Sequence, residues 1–385
     1  MPEKPTILIA GMLDSIHLAR WVSQLSALDA KVVITGTSPY RKVRPELQDF
    51  VSRNPEKFSI IELFPRTSVL GHRLLPAISF VLDRFIGDLI RGTLLRRLIL
   101  RVDPKVVHIN ELIVAGMPAE FAFRRMTSRS FHLWVTNYGS ELIWRAKGGK
   151  VKSRMQRLLQ SAQTFSAECQ RDAELAREMG FSGVIVPVFP VSGGIENRPL
   201  SPLDRNLIAL KGYDNDLGMG AQALREVGLF VRENPHLEIE IVAYSCNRPT
   251  LRVASGLSAQ GVRVRALKKG ALSHSEMLEL FGKSVAYVGA SRSDGISTSV
   301  LEAMCGGAIP IQTSSSCASE WFLEEETGFS VSPEDLSQIS SALSKIFSTR
   351  FDIEAARKKN QEILANKADP LRLREIALQS YKRII

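Results

Sequence analysis

Residues 291–310 read SRSDGISTSVLEAMCGGAIP, and this stretch decides the fold. It follows VAYVGA at 285–290, an apolar run of the length of a buried strand. Small and polar residues through Ser299 make a loop, a helix starts within residues 301–305, and residues 308–311 are a second apolar run. Strand, loop, helix, strand is the repeating unit of a parallel α/β sheet, where ligands sit beyond the carboxyl ends of the strands. The loop holds Asp294, Gly295, Ile296, Ser297, Thr298 and Ser299, and Glu302 lies one turn into the helix. Gly295 permits close backbone approach, a helix N-terminus favours an anion, and two carboxylates can accept hydroxyl groups. Two plainer assignments compete: Ser299-x-x-Glu302 also spells a capping box, and Asp294-Gly295 an ordinary turn.

Outward from this stretch the same alternation continues. Residues 6–10 form a short buried-type strand, Gly11 opens a loop in which Asp14 and Ser15 cap a helix over 18–28, and 31–35 give the next strand. Further strands are expected at 106–109, 132–136, 165–168 and 184–187, with helices after Gly116 and over 170–179, the latter ended by Gly180. Residues 39–60, with Pro39, Pro45 and Pro55, read as loop. Residues 74–100 read as a helical stretch broken near Gly87 or Gly92. In it Leu94, Leu95, Leu98 and Ile99 share one side and Arg96, Arg97 and Arg101 the other, as in a core helix with a basic outer surface or a helix lying on a membrane.

Prolines at 187, 190, 199 and 202 with Gly193-Gly194 mark a linker. Beyond it, strands are expected at 206–210, 237–243 and 262–266, and helices at 220–231, 276–281, 339–347, 353–364 and 371–385. The organisation is an N-terminal domain at 1–190, a linker at 191–204, a C-terminal domain at 205–368, and a terminal helix over 369–385 that crosses back to the first domain. Asp214-Asn215-Asp216 spells a metal triplet and Gly218-x-Gly220-x-x-Ala223 a dinucleotide fingerprint, but neither has the flanking context that its chemistry requires.

Composition narrows the class. A chain of 385 residues, 44% hydrophobic and 23% charged, suits a soluble globular protein of two domains. No stretch offers ~18 uninterrupted apolar residues, and MPEKPTILIAG has no signal-peptide core, so a cytoplasmic protein is expected. Cys169, Cys246, Cys305 and Cys317 show no CxxC spacing and the histidines no HExxH, so a reducing compartment and no metal site are expected. The net charge of +10 lies wholly in the first half, where residues 1–190 hold 27 Lys and Arg against 17 Asp and Glu. Arg145, Lys147, Lys150, Lys152, Arg154 and Arg157 form one short run with no acidic residue between them. Such asymmetry points to an anionic partner. Single-stranded nucleic acid would require interleaved aromatics, of which only Trp144 is close, so an anionic membrane surface is expected and nucleic acid is not.

Asp294-x7-Glu302, continuing as Leu301-Glu302-Ala303-Met304-x-x-Gly307-x-x-Pro310 and then Glu320 and Thr327-Gly328, resembles the signature of glycosyltransferase family 4, the glycosyl transferases group 1. The resemblance is dense between residues 270 and 331 and elsewhere rests on element order. It implies a GT-B fold: α/β, with two Rossmann-like domains facing across a cleft. It further implies a retaining, metal-independent transferase moving a sugar from a nucleotide sugar to a glycan or lipid-linked acceptor. A place in cell-surface polysaccharide or lipopolysaccharide biosynthesis follows, in the cytoplasm and peripheral on the inner face of the membrane. A UDP-sugar is expected ahead of a GDP-sugar, with no other cofactor.

By the same resemblance Asp294, where the family usually has Glu, meets the donor sugar, and Glu302 meets the ribose. The segment Gly295, Ile296, Ser297, Thr298 and Ser299 meets the diphosphate, with Gly11 close by. Lys211, at the end of the strand over 206–210, pairs with that diphosphate, while the second basic residue usual a few positions later is replaced by Asp216 or Leu217. Tyr138 stands where the family has a His near the reaction centre, so the catalytic set is Lys211, Asp294 and Tyr138. His17, Arg20, Asn110, Glu111, Ser140 and Glu141 fall on the acceptor side. Two other readings are a nucleotide-sugar 2-epimerase of the same fold, which would have no use for a basic first domain, and a non-enzymatic two-domain ligand-binding protein, which the missing leader disfavours.

Overall fold

The computed structural model describes residues 4–38, 42–64, 78–79, 81–83, 85–143, 148–190, 193–202 and 204–385, with the backbone alone at 204 and 205. The chain divides into two compact units, Met1–Gly194 with Leu371–Ile385, and Ile195–Pro370. The first holds parallel strands β1 (Thr6–Gly11), β2 (Lys31–Gly36), β3 (Phe58–Ile60), β4 (Val106–Asn110), β5 (His132–Thr136), β6 (Thr164–Ser166) and β7 (Val184–Ile185), in the order β3-β2-β1-β4-β5-β6-β7. The second holds β8 (Asp204–Lys211), β9 (Glu240–Cys246), β10 (Arg263–Lys268), β11 (Ser284–Gly289), β12 (Ile309–Thr313) and β13 (Phe329–Val331), ordered β10-β9-β8-β11-β12-β13. Each sheet grows one way from its first strand, then crosses back and grows the other way. The crevice at that reversal lies between β1 and β4 in the first unit and between β8 and β11 in the second.

The central strands are covered on both faces, which is why they read as unbroken apolar runs: Ile7, Leu8, Ile9 and Ala10 in β1 and Val285 to Val288 in β11 are fully buried. Two expectations are corrected, and the break expected near Gly87 or Gly92 falls at Gly87. Part of the loop-like stretch at 39–60 is the helix Pro45–Arg53, and β3 follows it. Pro45 sits in the first helical turn, where a missing N–H costs nothing and a fixed φ helps; Pro39 lies outside the described residues. The helical stretch over 74–100 breaks at Gly87 and Asp88, with φ of 65° and 68°, and the helix Leu89–Val102 runs on through Gly92. Gly92 is required there for packing, since a Cβ would lie 2.5 Å from the Phe121 ring on the helix Gly116–Phe123. Residue 237 belongs to the short turn Pro235–Leu237, and β9 starts at Glu240.

The helix Pro370–Lys382 is built into the first unit, where Leu373, Ala377, Leu378 and Tyr381 share a core with Trp21, Trp134 and Phe189. The Tyr381 hydroxyl accepts from Trp21 Nε1 at 3.1 Å and lies 2.5 Å from His108 Nδ1, while His108 Nε2 lies 2.7 Å from Thr136 Oγ1. Burial pushes the His108 pKa down to about 3, so the ring is neutral. The stability that this contributes is full above the free-histidine value of 6.5 and is lost as pH falls toward 3. Tyr381→Phe leaves two buried ring nitrogens short of a partner and is expected to lower the unfolding free energy by about 1–3 kcal/mol in a urea titration. An unchanged midpoint and slope would show that the hydroxyl contributes nothing to the seating of this helix.

Candidate active site

In the second unit the crevice at the strand reversal is lined from both sides. Lys211 ends β8, and its Nζ donates to Ser297 Oγ at 3.1 Å. Ser297 is the N-cap of the helix Thr298–Gly306, and its hydroxyl makes no cap bond. A lysine charge and a helix N-terminus therefore point at one place, an arrangement suited to a phosphate. Gly295 is fixed through its carbonyl, which accepts from Cys317 N at 3.0 Å, and Ile296 anchors the loop by burying its side chain in the core below. Asp294, Thr298 and Ser299 are half-buried beside it. Burial first, then Tyr244 and Asp294, keep Tyr287 beneath this loop firmly protonated.

The capping-box alternative fails. The helix begins before Ser299, and the buried Glu302 instead has its Oε1 2.9 Å from His274 Nε2. The true capping box is Ser273 with Glu276, which starts the helix His274–Lys283 and so presents His274 to Glu302. Asp214-Asn215-Asp216 is also structural in part. Asp214 accepts from Ala221 N at 2.9 Å, and the Asn215 side chain accepts from Leu217 N and Gly218 N at 2.9 Å each. Against that turn lies Arg292, whose backbone N–H donates to Leu217 O at 2.7 Å and whose Nη1 donates to Asn215 O at 3.2 Å. Sequence reasoning missed Arg292 and His274. Arg292 could have been found as the cation inside the loop after β11, whereas nothing local marks His274.

In the first unit the ends of β1, β4 and β5 meet. Gly11 ends β1, and a Cβ there would lie 3.2 Å from Asn110 O. Ser15 caps the helix Ile16–Gln24 by accepting from His17 N at 3.1 Å, and His17 and Arg20 lie three residues apart on that helix, both half-buried. The His17 ring sits 5.4 Å from that of Tyr138, whose hydroxyl donates to Asn110 Oδ1. The buried Nδ2 of Asn110 and Oδ1 of Asn137 have no hydrogen-bond partner among the described residues. Glu111, with φ of 120°, accepts from Ile113 N at 2.7 Å, Ala115 N at 3.1 Å and Val114 N, and so shapes the turn into the next helix. Burial, then Glu111, Glu141 and Glu168, push the Tyr138 pKa well up, so Tyr138 is a neutral donor and not a base. Ser140 opens the short helix Ser140–Ile143, in which Glu141 is buried and accepts from Tyr138 N at 3.1 Å.

The basic run is largely reassigned. Arg145 and Lys147 lie outside the described residues. On the helix Gly149–Ser161, Arg154 donates to Glu120 at 2.8 Å, Asp88 at 2.6 Å and Met117 O at 2.6 Å, and Arg157 donates to Glu120 at 2.8 Å. Those two cations brace the first unit, and Lys150 and Lys152 are left exposed.

Residues 258–366 match the family described as glycosyl transferases group 1. No curated protein matches the chain. Among solved structures, sucrose-phosphate synthase of Thermosynechococcus elongatus superposes with a TM-score of 0.72 at 14% identity, covering 99% of each chain. A glycosyltransferase from Rickettsia africae gives 0.67 at 15%, covering 99% of this chain and 98% of its own. Anabaena HepE in complex with UDP-glucose gives 0.69 at 10%, covering 98% and 100%. The fold is therefore GT-B, with two Rossmann-like domains, and the matched segment makes the chain a glycosyltransferase.

Burial, and next the charge of Glu111, lift the Glu141 pKa well above the usual carboxylate range. The folded carboxyl keeps its proton where the unfolded one, with an ordinary value of 4.5, has lost it, so stability is full below that pH and falls as pH rises. Glu141→Gln is expected to melt higher than the wild type at about pH 8 and to match it near about pH 4. Parallel melting curves across that range would show that Glu141 titrates as an ordinary carboxylate.

Proposed function

We propose that the chain transfers a sugar, with retention and without a metal, from a nucleotide sugar to a glycan or lipid-linked acceptor. In this reading it serves cell-surface polysaccharide or lipopolysaccharide synthesis, in the cytoplasm at the inner face of the membrane. The observation that carries it is the 3.1 Å contact between Lys211 Nζ and Ser297 Oγ, which puts a fixed cation and a helix N-terminus at one anion position. As the bond from the anomeric carbon to the diphosphate breaks, charge grows on the leaving oxygen, and both groups stabilise it where it develops. Arg292 stands beside the turn at 215–217 and supplies the second cation that the sequence does not place there. Asp294 takes donor-sugar hydroxyls, and Glu302, oriented by His274, takes the ribose. A UDP-sugar is favoured over a GDP-sugar, with support from the Anabaena neighbour solved with UDP-glucose.

The acceptor lies at the first unit's crevice, where Asn110 and Asn137 have hydrogen-bonding capacity to spare. Held as a neutral hydroxyl, Tyr138 serves in this reading as a hydrogen-bond donor and not as the base that takes the acceptor's proton.

Lys211→Ala is expected to lower kcat by about 10²–10³ with a smaller change in donor KM, since the charge acts mainly on the transition state. A raised KM at unchanged kcat would make Lys211 a binding residue only. Glu302→Gln is expected to weaken nucleotide binding by calorimetry at an unchanged melting temperature, because Glu302 does not cap its helix. Equal affinity in the two proteins would remove Glu302 from the site. A thermal-shift screen of UDP-, GDP-, ADP- and CMP-sugars identifies the donor, since a ligand of the native state raises its melting point.

A further inference from the structure

Between residues 78 and 86 the described residues are helical, and their pattern is inverted. The polar side chains face inward, with Ser79 1% and Asp83 3% exposed. The apolar ones face outward: Ile78 is 48% exposed, Val81 54%, Leu82 40%, Phe85 82% and Ile86 47%, with Leu89 following at 36%. Asp83 is buried because it caps the next helix, accepting from Ile90 N at 2.7 Å, Arg91 N at 3.2 Å and Arg91 Nε at 2.9 Å. Asp88 is paired with Arg91 and Arg154, and Arg154 is paired in turn with Glu120. The ridge is thus fastened from beneath by ion pairs and turns its apolar side to solvent, the reverse of a surface helix that serves a core. Six exposed apolar side chains within residues 78–89, the first five spaced three and four apart along the helical segment, mark an interaction surface.

Charge selects the partner. The carboxylates at the base of the ridge, Asp83, Asp88 and Glu120, are all ion-paired. Lys150 and Lys152 are exposed within a turn of Arg154, whose Nη1 is 2.6 Å from Asp88. Apolar side chains rimmed by lysines match a bilayer with anionic headgroups, the side chains entering the acyl boundary and the ammonium groups meeting phosphates. We propose that Ile78, Val81, Leu82, Phe85, Ile86 and Leu89 insert into the surface of an anionic phospholipid bilayer, with Lys150 and Lys152 as its electrostatic rim. This deepens the membrane part of the function proposed above, and it moves the contact from the basic run to an apolar ridge.

The test is co-sedimentation of the full chain with vesicles of phosphatidylcholine alone and of phosphatidylcholine mixed with phosphatidylglycerol, at low and high salt. The wild type is expected on the mixed vesicles. Val81→Ser, Phe85→Ser and Ile86→Ser together are expected to lower the partition coefficient at least about tenfold, with an unchanged melting temperature because these side chains are exposed. Lys150→Gln with Lys152→Gln is expected to cost a smaller factor and to flatten the salt dependence. Undiminished binding by the serine variant overturns the ridge, and salt-sensitive release would then return the contact to the cations. A wild type that binds no vesicle overturns it too, and a dimer that the serine variant loses would make the ridge a contact between copies. UDP-sugar titration of the serine variant is read separately: unchanged affinity leaves the transferase reading intact whatever the vesicles show, and absent affinity in both proteins sinks that reading alone.

Discussion

A parallel strand cannot pair with its successor through a hairpin, and the placement of the site follows from that constraint. Every described strand pair in both sheets is parallel, so successive strands of a sheet are joined by crossovers and not by hairpins, and each carboxyl end opens into a loop. Where the strand order reverses, two adjacent strands send their loops in opposite directions, and a gap is left that no crossover covers. In the second unit Lys211 and the loop after β11 border that gap, and in the first unit Gly11 and Asn110 border its counterpart. Such a gap can hold fixed backbone amides, a cation and carboxylates together without burying any of them unpaired.

Charge in this protein divides between binding and bracing. Glu120 receives Arg154 and Arg157, and Asp88 receives Arg91 and Arg154, so five residues from three helices and a loop form one connected set. Being partly buried, these pairs are screened less by salt than surface pairs and fix the relation of the helices that carry them. A count of positive residues therefore overstates what an anionic partner can meet. In the first unit's crevice burial acts instead on a single carboxyl: it lifts the Glu141 pKa well above the usual carboxylate range, with the charge of Glu111 adding to it.

Element order was legible because buried parallel strands leave unbroken apolar runs, as in Ile7–Ala10 and Val285–Val288, and because Ser15 and Gly180 punctuate helices in the ordinary way. The loop at 294–299 was legible from its position after a strand, and Lys211 only through the family resemblance. What could not be read depended on partners far away in sequence. Glu302 lies three residues after Ser299, which imitates a cap, but its partner His274 is 28 residues upstream. Arg154 lies in a run with no acid, yet its acids are 34 and 66 residues away. Pro45 was misread for a local reason, since proline both ends helices and starts them, and only the turns that follow tell which.

The seating of Tyr381 has a consequence for synthesis. The first unit's core around Trp21, His108 and Trp134 is completed by a helix encoded after the whole of Ile195–Pro370. At roughly 5–20 residues per second, the ribosome needs on the order of ten seconds or more to deliver that helix after the first unit has otherwise emerged. Through that interval the nascent unit holds an apolar groove open between its sheet and the helix Ile16–Gln24, and the second unit can finish folding before the first. The transferase thus becomes complete in the reverse of the order in which its domains are made, and a chain that stalls short of its last helix exposes a surface that chaperones and proteases recognise.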